Sequence, residues 1–207
     1  MGPGDHVREL HLRTSGPSET RAVAGTIARV LRPGDVVALT GELGAGKTCF
    51  VQGAASSLGV TERVTSPSFV LRREYRGRIP MIHLDIYRLE TLAEVVDLGF
   101  EEIFDPERVT FIEWGDAMSP LLPADYLEVE LLLAEPAQGS DSGQESPASA
   151  GGAEPRRLIV RARGGGWRQR LAALEGALQP WDAQRMADGG QGTVPFGPPA
   201  HDPEWEG

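Results

Sequence analysis

The stretch VVALTGELGAGKTCFVQGAASSLG, residues 36 to 59, constrains the fold more than any other part of the chain. VVALT is apolar without alternation, the pattern of a strand covered on both faces inside a parallel sheet. Phe50, Val51, Ala54, Ala55 and Leu58 recur at helical spacing and Gly59 closes the run, so a helix over 48–58 follows the glycine turn directly. Between them, Gly41, Gly44, Ala45, Gly46, Lys47 and Thr48 satisfy the pattern G-x-x-x-x-G-K-[ST] in full. Strand, glycine loop and helix in that order let consecutive backbone N–H groups converge on phosphate oxygens, with the helix N-terminus adding partial positive charge.

Lys47 is the only lysine among 20 basic residues; the rest are arginine. A lysine at this position reaches over the loop toward β- and γ-phosphates as a compact point charge, where a planar guanidinium fits less well. The loop residues Glu42, Leu43, Gly44, Ala45, Gly46, Lys47, Thr48 and Cys49 are therefore the expected nucleotide contacts, and the Thr48 hydroxyl is the expected ligand of Mg²⁺. The chance alternative, a glycine turn without function, is disfavoured by the strand before it and the helix after it.

The remaining pattern completes an α/β, P-loop NTPase-like fold: a mainly parallel sheet with antiparallel edge strands, flanked by helices. Residues 7–13 read as a strand, followed by a helix carrying Val23, Ile27, Val30 and Leu31 and closed by Pro33-Gly34. SFVLRREY and IPMIHLDIY flank Arg76-Gly77-Arg78 as a hairpin, RLETLAEVVDLGFEEIF reads as helix with an interruption at Gly99, and VTFIEW is a further buried strand. LEVELLL and RLIVRAR alternate and are expected to pair at the sheet edge. This divides the chain into an ATPase domain over 1–135, a disordered acidic insertion over 136–156, an edge strand and helix over 157–178 completing the domain, and a flexible tail over 179–207.

Three more positions carry candidate chemistry. Asp85, at the end of the alternating run MIHLDIY, needs a cation or hydrogen-bond donors among its apolar neighbours; it is assigned to Mg²⁺ directly or through a coordinated water, with a strand-end or helix-capping aspartate as the alternative. Glu113 ends VTFIE, where a carboxylate at the carboxyl end of a buried strand can orient or polarise an attacking water; a salt bridge to an arginine is the competing role. Trp114 touches nucleotide or partner, or is a core or rim aromatic. Thr65, Ser66 and Ser68 surround Pro67 where a γ-phosphate switch is commonly placed, or simply begin a strand. His83 reads as a packed or hydrogen-bonded structural histidine.

Thirty acidic against 20 basic residues give a formal charge of −10, which opposes direct charge-driven binding of a polyanion. A single cysteine, the lack of a secretory-type start and the lack of an apolar run of spanning length make a cytoplasmic protein without membrane contact the expectation. The chain has no asparagine and no second lysine, so it cannot contain the Asn-Lys-x-Asp guanine motif, and ATP is the favoured nucleotide.

With GELGAGKT, TSPSF, HLDIYRL, LGFEE and FIEWGD in that order, the chain resembles the bacterial TsaE (YjeE) family of small P-loop ATPases required for threonylcarbamoyladenosine in tRNA. The resemblance covers about residues 7 to 135 and resumes at RLIVRARGGGW. It implies ATP and Mg²⁺ binding, weak intrinsic hydrolysis, and work in a complex with TsaD and TsaB, where TsaD modifies adenosine 37 of tRNAs reading ANN codons; tRNA is then met indirectly. It also implies Lys47 and Thr48 on phosphate and Mg²⁺, Asp85 on Mg²⁺, Glu113 in hydrolysis, Trp114 near the nucleotide, and Thr65 and Ser66 in the switch. Ser68 and Cys49 stand where the family more often has threonine. A small-molecule kinase with a lid bearing Arg72, Arg73, Arg76 and Arg78, and a nucleotide switch that does not hydrolyse, are the alternatives.

Overall fold

The computed structural model describes residues 8–67, 71–87, 103–133 and 154–183. The anticipated helix around RLETLAEVVDLGFEE, Ser68 and nearly all of the acidic insertion lie outside these residues. Within them, seven strands form one sheet: β1 (Arg8–Thr14), β2 (Val36–Thr40), β3 (Arg72–Tyr75), β4 (Met81–Asp85), β5 (Val109–Glu113), β6 (Tyr126–Leu133) and β7 (Arg156–Arg163), in the order β1-β7-β6-β2-β5-β4-β3. The four central strands, β6, β2, β5 and β4, run parallel, and the outer pairings β6–β7, β7–β1 and β4–β3 are antiparallel. LEVELLL and RLIVRAR do pair, but β1 and not β7 forms that edge.

Alternation assigns each strand residue to a face. Val37, Leu39, Met81, Val109, Phe111, Val129 and Leu131 pack with helices α1 (Pro17–Ala28), α2 (Lys47–Ser57) and α3 (Gly165–Leu178) in the larger core. Val36, Ile82, Leu84 and Ile112 face the other way onto Ile103 and Met118. Phe50, Phe111 and Trp167 are fully buried, and burial of such a side chain stabilises by about 1.5–3 kcal/mol. No helix among the described residues is long and apolar enough to cross a membrane.

Helix α1 ends at Ala28, short of the Val30 and Leu31 expected from spacing. The amides of Arg29, Val30 and Leu31 bond to carbonyls three residues back, so the last turn tightens into 3₁₀ geometry and still delivers Leu31 to the core. The C-terminal stretch expected to be flexible from 179 begins with a 3₁₀ turn at Gln179–Trp181, and Asp182 bridges Leu12 of β1. Strand β7 starts at Arg156, inside the stretch expected to be insertion.

Helices α1 and α2 cross where Gly53 meets Arg21: a Cβ on Gly53 would sit 2.3 Å from the Arg21 carbonyl oxygen. Backbone cannot step aside as a side chain can. Gly53→Ala is therefore expected to destabilise the fold by about 1–3 kcal/mol, read as a lower thermal midpoint; a midpoint at or above that of the parent chain would contradict the close crossing.

Candidate functional site

The carboxyl ends of β2, β4 and β5 open on one side of the sheet, and the loop 41–46 lies there. Gly41 leaves β2 with φ of 124°, and a Cβ on it would fall 2.0 Å from the Leu131 carbonyl oxygen of β6. Only glycine tolerates both the angle and the approach. Gly46 precedes α2 with φ of 107° and no side chain caps the helix, so the amides of its first turn keep no intrahelical partner. Their N–H groups and the helix dipole suit an anion seated in the loop.

Lys47 is buried and folds back across this loop. Its Nζ donates to the Gly41 carbonyl at 2.7 Å and the Glu42 carbonyl at 3.0 Å, and lies 3.6 Å from the centroid of the Trp114 ring. Burial pushes its pKa below the ordinary lysine value, against the opposing pull of Glu113, Asp85 and Asp116. The ammonium is thus held by weak neutral acceptors and an aromatic face, contacts that an arriving phosphate can replace with charge-assisted ones.

Thr48 Oγ1 donates to Glu113 Oε1 at 2.7 Å, and His83 Nε2 meets the same oxygen at 2.9 Å. Glu113 is 3% exposed, and among the described residues its partners are this hydroxyl and imidazole, not the arginine that sequence left open. Asp85 stands beside Glu113 in the parallel register of β4 and β5. It accepts from Ser66 Oγ at 2.7 Å and from the Tyr87 amide at 3.3 Å, which supplies the donors a buried carboxylate requires. Thr65 sits farther back, its amide and carbonyl each 3.5 Å from the Tyr75 hydroxyl.

Trp114 adopts a left-handed backbone conformation, φ 65° and ψ 39°, which is uncommon for a bulky residue and costs about 1–3 kcal/mol. Its ring is clasped between the Lys47 ammonium and Tyr87, whose ring centroid is 4.7 Å away. Trp114 is therefore a rim aromatic tied to the loop lysine. Leu43, Gly44, Gly46, Lys47, Thr48, Cys49, Ser66, Asp85, Tyr87, Glu113 and Trp114 together line a cleft of about 350 Å³. Leu43 is 79% exposed on its rim. The half-buried Cys49 thiol donates to the Pro17 carbonyl at 3.3 Å, and burial pushes its pKa up against the opposing pull of Arg21 and Arg156, which disfavours the thiolate. Glu42 is exposed and offers its carbonyl, and Ala45 is buried.

Two residues belong to this site that sequence reasoning did not place in it. Tyr87 had no signal beyond its position after Asp85. Arg156, buried at the start of β7, donates from Nε to the Ala45 carbonyl at 3.0 Å and lies beneath Gly46. It braces the loop from below. Among the described residues no group of three or more His, Cys, Asp and Glu side chains converges as a metal cluster. Mg²⁺ asks for less, one or two hard oxygens with water and phosphate completing the octahedron, and Thr48, Asp85 and Glu113 offer such oxygens in one cleft.

A family model described as "Threonylcarbamoyl adenosine biosynthesis protein TsaE" matches residues 14–139, more than half of the chain. The chain belongs to the TsaE family. It is 42% identical over 124 residues to the tRNA threonylcarbamoyladenosine biosynthesis protein TsaE of Bacillus subtilis, covering 59% of this chain and 77% of that relative. It is 43% identical over 105 residues to the TsaE of Treponema pallidum, covering 51% of this chain and 78% of the relative. The crystal structure of Bacillus subtilis YdiB superposes with a TM-score of 0.65 at 31% identity, over 84% of this chain and 99% of that one. The match to the TsaE model stops short of β7, so Arg156 lies outside the stretch that defines the family here.

Proposed function

We propose that this TsaE-family chain binds ATP with Mg²⁺ in the 41–49 loop and hydrolyses it weakly, to drive a cytoplasmic assembly with TsaD and TsaB that forms threonylcarbamoyladenosine at position 37 of tRNAs reading ANN codons. The observation that carries the reading is Lys47 Nζ poised over the loop, 2.7 Å and 3.0 Å from its carbonyls, above helix amides free to receive phosphate. The names of the family and of its relatives support the pathway.

The chain's own groups suggest the division of labour. Loop amides and Lys47 would bind and orient the phosphates, and the Thr48 hydroxyl and Asp85 carboxylate are the oxygens that would hold Mg²⁺. When bound, Mg²⁺ supplies charge neutralisation on the phosphate oxygens. Asp85 is kept in orientation by Ser66 and the Tyr87 amide, a supporting layer that tunes such a ligand. Glu113 keeps one oxygen on Thr48 and His83 and has its other oxygen to accept a hydrogen bond from an attacking water.

The kinase reading finds less support. Arg72 pairs with Glu74, and Arg76 and Arg78 lie on the turn before β4, at the end opposite Asp85, far along the strand from the cleft. The net charge of −10 agrees with recruitment through protein partners and not directly by tRNA. Phosphate release by the full chain should be slow alone and stimulated on adding TsaD and TsaB. Release that those proteins leave unchanged, with nucleotide bound, would reduce the chain to a nucleotide switch, and transfer of the γ-phosphate to a metabolite would make it a kinase.

A further inference from the structure

His83 is the one fully buried histidine among the described residues, and no chemistry has been assigned to it. It lies in the middle of β4, on the same face as Met81 and Asp85, and is 0% exposed. Its Nε2 is 2.9 Å from Glu113 Oε1, while its Nδ1 is buried with no hydrogen-bond partner among the described residues. A histidine kept only to satisfy the core would have both ring nitrogens paired, because an orphaned polar atom costs stability. A leucine or phenylalanine would fill the same space between strands without that penalty. The imidazole is therefore held for what its Nε2 does.

A carboxylate oxygen accepts and does not donate, so the proton belongs on Nε2 and Nδ1 is left as a bare acceptor, the less costly of the two ways to leave a nitrogen unpaired. Thr48 Oγ1 donates to the same Oε1 at 2.7 Å. Two donors from β4 and α2 thus converge on one oxygen of Glu113. The other oxygen, Oε2, has no hydrogen bond among the described residues, and Glu113 lines the cleft. Nε2–H fixes the carboxylate from a rigid strand, whereas the Thr48 hydroxyl is a rotor that must give up this contact when it turns toward another ligand.

We propose that His83 is a positioning residue for hydrolysis, whose Nε2–H pins Oε1 of Glu113 and so keeps Oε2 directed at the attacking water when Thr48 lets go. The inference rests on the proposed ATPase function. It assigns no bond-making role to the imidazole, which is fully buried and does not line the cleft.

The test uses the full chain, with TsaD and TsaB present if they are needed for turnover. His83→Phe removes the donor and fills the space; His83→Gln can return an N–H near the position of Nε2. His83→Phe is expected to lower kcat by about 10- to 100-fold, the range seen when groups behind a reacting shell are removed, with KM for ATP within about threefold of the parent. His83→Gln should recover most of kcat. A merely structural histidine would lower the melting temperature in both variants and leave kcat of the folded fraction alone. If His83→Phe turns over within twofold of the parent, or if KM rises as kcat falls, or if His83→Gln is no better than His83→Phe, the proposal is overturned. A second readout needs no turnover: ¹⁵N-resolved NMR of the ring, assigned by comparison with His83→Gln, should show the Nε2–H tautomer, with a shift that moves in Glu113→Gln. An Nδ1–H tautomer would also overturn it. Hydrolysis by the parent chain is measured first. Its absence removes the ATPase reading and the kcat arm with it, while loss of the His83 effect alone leaves that reading intact.

Discussion

Lys47→Ala is expected to cut ATP hydrolysis by about a hundred- to a thousandfold, the range for deleting one preorganised charge or donor at a developing charge, and to abolish detectable modification of tRNA in the reconstituted system. The lysine has two tasks in the structure. Nζ spans the loop to the carbonyls of Gly41 and Glu42 and so helps hold the glycine loop in shape. It is also buried against the Trp114 ring, with its Nζ hydrogen-bonded to carbonyls and not to a carboxylate, and a charge removed from water in this way interacts more strongly with a phosphate. Alanine loses both. Lys47→Arg is expected to recover little, because a planar guanidinium fits less well than a compact ammonium in the space over the loop. Phosphate release measured with saturating Mg²⁺ and ATP checks this, and a Lys47→Ala chain that hydrolyses at the parent rate would remove the loop from the mechanism.

Glu113→Gln is expected to lower kcat by about a hundred- to ten-thousandfold, the span attributed to a positioned base, while nucleotide affinity changes only a few-fold. The substitution is nearly isosteric. Its amide oxygen can still accept from Thr48 and from His83 Nε2, so the architecture around the oxygen at 2.7 Å and 2.9 Å survives. What disappears is the negative charge and the capacity to draw a proton from water. Single-turnover hydrolysis with separately measured ATP binding distinguishes the two quantities. Equal losses in binding and turnover would assign Glu113 to holding the nucleotide and Mg²⁺ instead.

The sheet was legible because burial writes a period into sequence. VVALT became β2 to the residue, and the two alternating runs near the end of the chain became the adjacent strands β6 and β7. The loop was legible because its backbone angles demand glycine, as the 2.0 Å approach at Gly41 to Leu131 shows. Local pattern could not say that Arg156 belongs to the loop: the contact to Ala45 spans 111 positions, and an arginine closing an acidic, glycine-rich run reads as the last residue of an insertion. Nor could it choose the partner of Glu113. That depended on the register that sets Asp85 beside Glu113 and leaves His83 diagonal to it, a property of two paired strands and of neither alone. The early end of α1 at Ala28 was hidden for a different, local reason: Val30 and Leu31 keep helical spacing while the backbone has already tightened.

Calorimetric titration of Mg²⁺ and ATP into the purified, folded chain tests the central claim most directly. Saturable uptake near one nucleotide per chain, lost in Lys47→Ala and not competed by GTP, is the expected result. Heat no greater than dilution, or uptake undiminished by Lys47→Ala, would contradict a phosphate site built on this loop.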